Sequence, residues 1–206
     1  MRRPKRQPEG AARLEALRSQ ARDCRDCPLW TRGTQTVFGE GDPKAKIMLV
    51  GEQPGDQEDL QGHPFVGPAG RILDQALLEA GIDRSLTYVT NAVKHFKWEP
   101  RGKRRMHKTP AQRELEACYQ WLQGEIDAVR PRLIVAMGAT AGKSLLGGGF
   151  KITQSRGKIH TMENGCDVIP TFHPSYLLRL KGREGEEEAW RAFVSDLKAA
   201  AKYVKD

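Results

Sequence analysis

The 206-residue sequence contains no stretch that approaches the ~20 consecutive apolar residues of a membrane span. Its first ten residues, MRRPKRQPEG, also lack the apolar segment of a secretory signal. We therefore expect a cytoplasmic protein without membrane contact, in a compartment where thiols stay reduced. The sequence has only four cysteines, and in such a compartment we expect them to bind metal or to have no special role rather than to form disulfide bonds.

Two common phosphate-binding signatures are absent. No G-x-G-x-x-G segment occurs, so the dinucleotide fingerprint is missing. The segment GATAGKS (138–144) contains Gly-Lys-Ser, but three residues separate its two glycines where a P-loop needs four. The sequence therefore predicts neither of these sites.

Acidic residues are fewer than basic ones: 26 Asp and Glu against 34 Lys and Arg give a formal net charge of +8. Because basic side chains that neutralise phosphates release condensed counterions, this excess favours a polyanionic partner. A contribution to solubility alone is the alternative. Residues 94–108 hold seven basic residues and one acid, Glu99, which is typical of a solvated loop that contacts phosphate.

Apolar runs that alternate with helical patterns predict the fold class. Strands are predicted at 46–51, 86–91, 132–138 and 167–172, and helices at 11–24, 69–80, 110–129, 140–146 and 185–203. Thr109 is the expected cap of the third helix, with Pro110 at its first position. This alternation favours a three-layer α/β/α fold around a mainly parallel four-stranded sheet. Residues 1–10 are predicted to be a disordered basic tail and 11–206 a single domain.

Polar segments follow each predicted strand: GEQPGDQED, NAVKH, GATAGKS and HPSYLLR. Ligands of open parallel sheets bind at the carboxyl ends of the strands. We therefore expect the functional site where these four segments meet.

Three long segments resemble a known family. GEQPG…GHPFVGPAGRILD, VTNAVK and HPSYLLR are similar to the motifs of the iron–sulfur, family 4 uracil-DNA glycosylases, and the resemblance extends from about Cys24 to the final helix. GEQPG in place of the commoner GEAPG, and the basic segment KRRMH (103–107), resemble the UdgX type. The loop histidine of that type becomes covalently joined to DNA where uracil was excised. The resemblance implies a monomeric enzyme that acts on uracil-containing, single-stranded DNA.

The cysteines form one recognisable pattern, the C-x-x-C of Cys24 and Cys27, with Cys118 far downstream. Alone, this pair could hold zinc, serve redox chemistry or be structural. The resemblance implies a [4Fe–4S] cluster, but His95 stands where the family has its next cysteine. Because histidine can ligate cluster iron, we predict Cys24, Cys27, His95 and Cys118 as ligands. Cys166 is the alternative to His95.

Three catalytic roles are implied by the resemblance. His107 is the expected nucleophile at the sugar C1′. Glu52 is expected to orient and deprotonate His107, or to position water. His173 is expected to donate to uracil O2 and to stabilise the departing uracil anion.

The remaining site residues are implied in the same way. Phe65 would stack on the extruded base, and the Asn91 amide would pair with uracil N3–H and O4 and reject cytosine. Gln53 and Asp56 would line the uracil pocket. Glu58 and Asp59 are expected to be solvated loop acids, and His63 and His160 to have no chemical role. The predicted DNA contacts are Lys94, Lys103, Arg104, Arg105 and Arg179.

Two other functions are compatible with these residues. In the first, uracil excision proceeds with multiple turnovers and His107 only contacts DNA. In the second, the protein is a non-catalytic nucleic-acid-binding protein in which zinc or an iron–sulfur cluster is structural.

Overall fold

The computed structural model describes residues 10–205. Within that range the chain forms a six-stranded sheet, a separate two-stranded hairpin and eight α-helices. In chain order these are α1 (Gly10–Ala21), β1 (Glu40–Gly41), β2 (Ile47–Gly51), α2 (Asp56–Gln61), α3 (Pro68–Glu79), β3 (Thr87–Asn91), β4 (Trp98–Arg101), β5 (Arg104–His107), α4 (Gln112–Val129), β6 (Leu133–Met137), α5 (Ala139–Leu146), α6 (Ile152–Ser155), β7 (His160–Thr161), β8 (Asp167–Thr171), α7 (Pro174–Leu180) and α8 (Glu186–Tyr203). Apart from Gly10, the predicted disordered tail lies outside the described residues.

The sheet has the strand order β1-β3-β2-β6-β8-β7. Its four central strands are parallel and match the four predicted strands to within one residue at each end. The two-residue strands β1 and β7 add to the edges in antiparallel orientation. The predicted α/β fold with a mainly parallel sheet is confirmed, and the sheet is two short strands wider than predicted.

Alternate residues of the central strands face two hydrophobic layers. Met48 and Val50 of β2 pack on the layer that includes α1, α4 and α5, while Ile47 and Leu49 pack on the layer that includes α3, α7 and α8. Because successive side chains of a strand point to opposite faces, a strand covered on both faces is mainly apolar rather than alternating. This pattern explains why continuous apolar runs identified these strands.

Two ends of the predicted helices differ from prediction by more than one residue. Helix α1 ends at Ala21 rather than Cys24, where the chain turns and the Cys24 amide donates to the Ala21 carbonyl at 3.1 Å. Helix α4 begins at Gln112 rather than Pro110, since the Glu114 carboxylate accepts a 2.6 Å hydrogen bond from the Ala111 amide and caps the helix there.

The basic run 94–108 is not an open loop. Its second half forms the β4–β5 hairpin, in which Trp98 pairs with His107 and Arg101 with Arg104. Gly102, with φ of +59°, makes the tight turn that only glycine adopts without strain. Among the described residues, no helix has the length and apolar character needed to cross a membrane.

Candidate active site

Three predicted site residues, and Thr140, which was not predicted, lie at the carboxyl ends of the central strands. Glu52 directly follows β2, Asn91 ends β3, Thr140 lies in the first turn of α5 after β6, and His173 caps α7 after β8. The β4–β5 hairpin brings His107 to the same place, although no strand of the main sheet carries it.

Glu52 and His107 form the centre of the site. The Glu52 Oε1 atom lies 3.4 Å from His107 Nε2, and Glu52 Oε2 accepts a short hydrogen bond from the Thr140 hydroxyl. Burial lowers the pKa of His107, and the Arg179 charge lowers it further, while the Glu52 carboxylate opposes the change. The imidazole is therefore neutral near pH 7, which is the nucleophilic form. Thr140, which fixes the other carboxylate oxygen, has no distinguishing motif beyond its place after a strand.

His173 is held in one tautomer. Its Nδ1 accepts a 3.1 Å hydrogen bond from the Ser175 amide, which can only donate. The proton of the neutral ring therefore lies on Nε2. Burial lowers the pKa of His173 to about 4, and the nearby His107 and Arg179 add to the shift. A neutral N–H donor is thus maintained at physiological pH.

Phe65 is placed by an unusual backbone. Its φ of +57° lies in the left-handed region, and its ring centre is 6.0 Å from that of His173. A Cβ added at Gly51 would lie 2.6 Å from Phe65 Cζ, and one added at Gly70 would overlap the Phe65 carbonyl. The two glycines therefore permit the close packing of this ring, and backbone strain of this kind concentrates at functional sites.

Asn91 presents an unused acceptor to the same place. Its Oδ1 is buried and has no hydrogen-bond partner among the described residues. Gly51 approaches the same side chain, since an added Cβ there would overlap Oδ1. Because a buried acceptor without a partner costs about 1–3 kcal/mol, a ligand that donates to it binds with that advantage.

Lys94 was predicted to contact DNA, and the structure corrects this. Its side chain is 1% exposed, and Nζ donates to Glu125 Oε2 at 2.6 Å, Thr90 Oγ1 at 2.7 Å and the Asn91 carbonyl at 2.8 Å. All three ammonium protons are therefore used beneath the site. Lys94 fixes the end of β3 instead of binding phosphate.

Gln53 was predicted to line the uracil pocket, but its amide is used elsewhere. Its Nε2 donates to the carbonyls of Lys97 and Lys108, at 3.2 and 3.0 Å, and its Oε1 accepts from the Lys97 amide at 3.1 Å. These residues flank the two strands of the hairpin. Gln53 therefore closes the base of the hairpin that carries His107.

Arg105 and Asp56 were predicted to bind phosphate and uracil respectively, and both are engaged with protein groups. Arg105 Nε donates to Asp56 at 2.6 Å and Nη1 to Asp59 at 2.6 Å. Asp59 is fully buried and also accepts from the Thr34 amide and hydroxyl. We call Arg105, Asp56 and Asp59 the hairpin clamp, since the three side chains tie β5 to α2.

The expectation that Glu58 and Asp59 are solvated acids is wrong. Asp59 belongs to the hairpin clamp. Glu58 is 8% exposed and accepts from the amides of Gly55 and Gly67, at 3.1 and 2.7 Å. An acid in a Gly- and Pro-rich segment gives no sequence signal that distinguishes this internal cap from a solvated side chain.

Three predicted DNA contacts remain on the surface. Lys103 and Arg104 are exposed at the turn of the hairpin, and Arg179 is exposed on α7. Arg179 is close enough to lower the pKa of both His107 and His173. These residues stay predictions as phosphate contacts.

The four predicted cluster ligands lie in one region without converging. Burial raises the pKa of the Cys118 thiol to about 12, and the neighbouring Cys27 and Cys24 contribute to the increase. His95 Nε2 is 3.0 Å from the Thr36 hydroxyl. Within residues 10–205, no three His, Cys, Asp or Glu side chains are arranged closely enough to hold a metal ion. The donor types therefore suit an iron–sulfur cluster, but the arrangement in this structure does not ligate one.

Comparisons with known proteins agree with this geometry. The model of the uracil DNA glycosylase superfamily matches residues 38–198. The type-4 uracil-DNA glycosylase of Thermotoga maritima is 39% identical over 193 residues, 93% of this chain and 95% of the relative. That of Sulfurisphaera tokodaii is 39% identical over 173 residues, 80% of this chain and 76% of the relative. A type-5 uracil-DNA glycosylase of Pyrobaculum aerophilum is 29% identical over 188 residues, 83% of this chain and 79% of the relative.

Proposed function

The chain belongs to the uracil-DNA glycosylase superfamily, among the type-4 enzymes, and on that premise we propose that it excises uracil and then bonds to the DNA through His107. Uracil-DNA glycosylase activity follows from the family. The covalent bond between His107 and the DNA does not follow from the family and is what we add. The observation that carries it is the 3.4 Å approach of His107 to Glu52 at the strand ends.

Recognition of uracil uses the Asn91 side chain as a hydrogen-bond partner and the Phe65 ring as a stacking surface. Asn91 Oδ1, buried without a partner, accepts the N3–H of the extruded base. Cytosine has no hydrogen on N3, so it would leave the same acceptor unsatisfied. Phe65 supplies the stacking surface beside His173.

Bond breaking begins at the glycosidic bond. The C1′–N1 electron pair leaves with uracil, and the Nε2–H of His173 donates to O2, where negative charge develops. The sugar becomes an oxocarbenium-like cation. His173 stabilises the departing uracil anion as a neutral N–H donor, because its pKa is lowered to about 4.

Bond formation uses the neutral imidazole of His107. One ring nitrogen donates its electron pair to C1′, and the proton on the other nitrogen leaves, with the Glu52 carboxylate as the nearest base. Uracil takes up one proton, so the net reaction exchanges the uracil N1–C1′ bond for an imidazole N–C1′ bond. A nucleophile held in place by the hairpin has a high effective concentration relative to water. Because imidazole is a poorer leaving group than uracil, the product persists and each molecule reacts once.

The decisive test is incubation with a uracil-containing single-stranded oligonucleotide, followed by denaturing electrophoresis. A protein–DNA band that survives denaturation supports the covalent step. Free uracil with a protein-free abasic strand, in amounts above one equivalent, would establish ordinary multiple turnover with His107 as a DNA contact. No uracil release with retained DNA binding would favour the non-catalytic alternative.

Cys24, Cys27, Cys118 and His95 hold a [4Fe–4S] cluster in this proposal. The support is the donor set, three cysteine thiols and one imidazole in one region of the chain's fold, although within residues 10–205 these side chains do not converge on a metal position. A bound cluster would supply a fixed, thiolate-ligated scaffold beside the site. Iron and sulfide content and visible absorption measure it directly, and zinc without iron would contradict it.

The preferred substrate is single-stranded DNA and the active unit a monomer. Extruding a base costs least when it is already unpaired. Rates on matched single- and double-stranded substrates, and the mass in solution by sedimentation, check both statements.

A further inference from the structure

A cleft lies next to the candidate site, at the base of the hairpin. It has a volume of about 180 Å³ and is lined by Leu29, Arg32, Phe96, Trp98 and Lys108, among others. Residues Trp98 and His107 are directly opposite each other in the hairpin. Opposite residues of an antiparallel pair project to the same face. The cleft is therefore adjacent to the position of the nucleophile.

Phe96 connects the two places. Its ring centre lies 6.1 Å from that of His107, and the same side chain lines the cleft. Phe96 is 1% exposed and Leu29 is 7% exposed, so the floor of the cleft is fixed and apolar. Trp98 is half-buried, and its Nε1 donates to the Arg32 carbonyl at 2.9 Å. The aromatic walls are thus held by the fold rather than free to rotate.

The rim of the cleft is basic. Arg32 is exposed and has no carboxylate within 4.0 Å among the described residues. Lys108 pairs with Glu99 at 2.9 Å, but both side chains are about half exposed, and such surface pairs contribute little. A phosphate could therefore replace Glu99 at small cost. Aromatic walls with a basic rim are the combination that binds unpaired nucleotides.

We propose that this cleft binds the base of a nucleotide next to the deoxyuridine, by stacking on Trp98 above the buried floor of Phe96 and Leu29, with its phosphate near Arg32. This proposal rests on the proposed function, because it places a neighbour of the excised nucleotide. The one hydroxyl on the cleft wall, that of Thr31, already donates to the Pro28 carbonyl at 2.8 Å. Few fixed groups remain to read a base edge, so binding tolerates any base.

The experiment combines a change in the protein with the matching change in the DNA. Single-stranded oligonucleotides carry one deoxyuridine, and the nucleotide on its 5′ or 3′ side is either normal or an abasic spacer. Single-turnover rates at increasing protein concentration give the half-saturating concentration and the maximal rate for each pair. Base stacking on an aromatic side chain contributes about 1–3 kcal/mol, which corresponds to a change of about 5- to 150-fold.

Wild-type protein is expected to lose at least about 5-fold in half-saturating concentration when one of the two neighbours is abasic. Trp98→Ala should show the same weakening with the normal strand and no further loss with the abasic one. Trp98→Phe keeps an aromatic face without the Nε1 hydrogen bond and should retain most of the sensitivity. Trp190→Ala, a tryptophan change in α8, should respond to the spacer as the wild type does.

The proposal is overturned if neither spacer affects the wild type, or if Trp98→Ala remains as sensitive to the spacer as the wild type. The second result would mean that Trp98 only supports the hairpin. Anisotropy with a uracil-free oligonucleotide keeps this test separate from the proposed function. Weaker binding by Trp98→Ala there supports the cleft even if no uracil is released, whereas unchanged binding there counts against it.

Discussion

Replacement of Arg105 by methionine should separate uracil excision from adduct formation. Arg105 does not reach the substrate position; it holds the hairpin through two 2.6 Å hydrogen bonds to Asp56 and Asp59. The apolar stem remains in Arg105→Met, while both charged bonds are lost. The change therefore acts on the position of His107 and leaves Asn91 and His173 in place.

The magnitude follows from the burial of the two acids. The Asp59 carboxylate is fully buried, and removing one member of a buried pair costs about 3–5 kcal/mol. Asp56 is 44% exposed, so its bond adds less than about 1 kcal/mol. Asp59 keeps its hydrogen bonds to Thr34, which reduces the loss. We take about 3 kcal/mol as the loss in the free energy that favours the docked position of the hairpin. Each 1.4 kcal/mol changes the equilibrium constant for docking by a factor of ten. The equilibrium constant for placing His107 should fall about 100-fold, so the fraction of molecules with His107 in place falls by up to about 100-fold.

The assay is a single-turnover time course with protein in excess, quenched in denaturant and resolved on a gel. Adduct formation should slow by up to about 100-fold, while uracil release slows less, so abasic strand and free uracil accumulate. Arg105→Lys should not restore the adduct, because one ammonium cannot bridge two carboxylates as a guanidinium does. Arg104→Met, an exposed neighbour, is the control and should weaken DNA binding without changing the ratio of products. An unchanged product ratio in Arg105→Met at saturating DNA would refute the positioning role.

Four further predictions concern the site and the proposed cluster. His107→Ser should abolish the denaturation-resistant band and yield free uracil with an abasic strand, and a persisting band would place the bond on another residue. Because burial lowers the pKa of His107, its nucleophilic form should persist below the usual histidine range, so the adduct rate should fall only at more acidic pH. In Glu52→Gln, loss of the charge that raises this pKa should move the midpoint lower still; a midpoint above the usual histidine value would contradict the sign. Asn91→Ala should lower the rate of uracil release by about 100-fold, as expected for loss of one preorganised hydrogen bond, with little effect on the binding of uracil-free DNA. His95→Ala should reduce iron content and visible absorption while Cys166→Ser should not, and the opposite pattern would assign the fourth ligand to Cys166.

The sequence predicted where the candidate site lies better than it predicted the role of each residue in it. Glu52, Asn91 and His173 each follow an apolar strand, and parallel strands bring their carboxyl ends together whatever the other details of the fold. The hairpin was harder, since β4 carries Pro100 and few apolar residues. Gly102 makes the turn between its two strands. Asp56 of α2 and Gln53 of the preceding loop hold the hairpin in place.

The sequence by itself determined the four parallel strands, because strands that are buried on both faces are mainly apolar. It also determined which polar segments share one edge of the sheet. Only the tertiary structure decided which charged side chains face solvent. Lys94 is paired with Glu125 and Arg105 with Asp59, partners 31 and 46 residues away in the chain. The neighbouring sequence does not show whether a basic residue pairs with a buried carboxylate or contacts phosphate, so only the contacts in the folded protein distinguish the two.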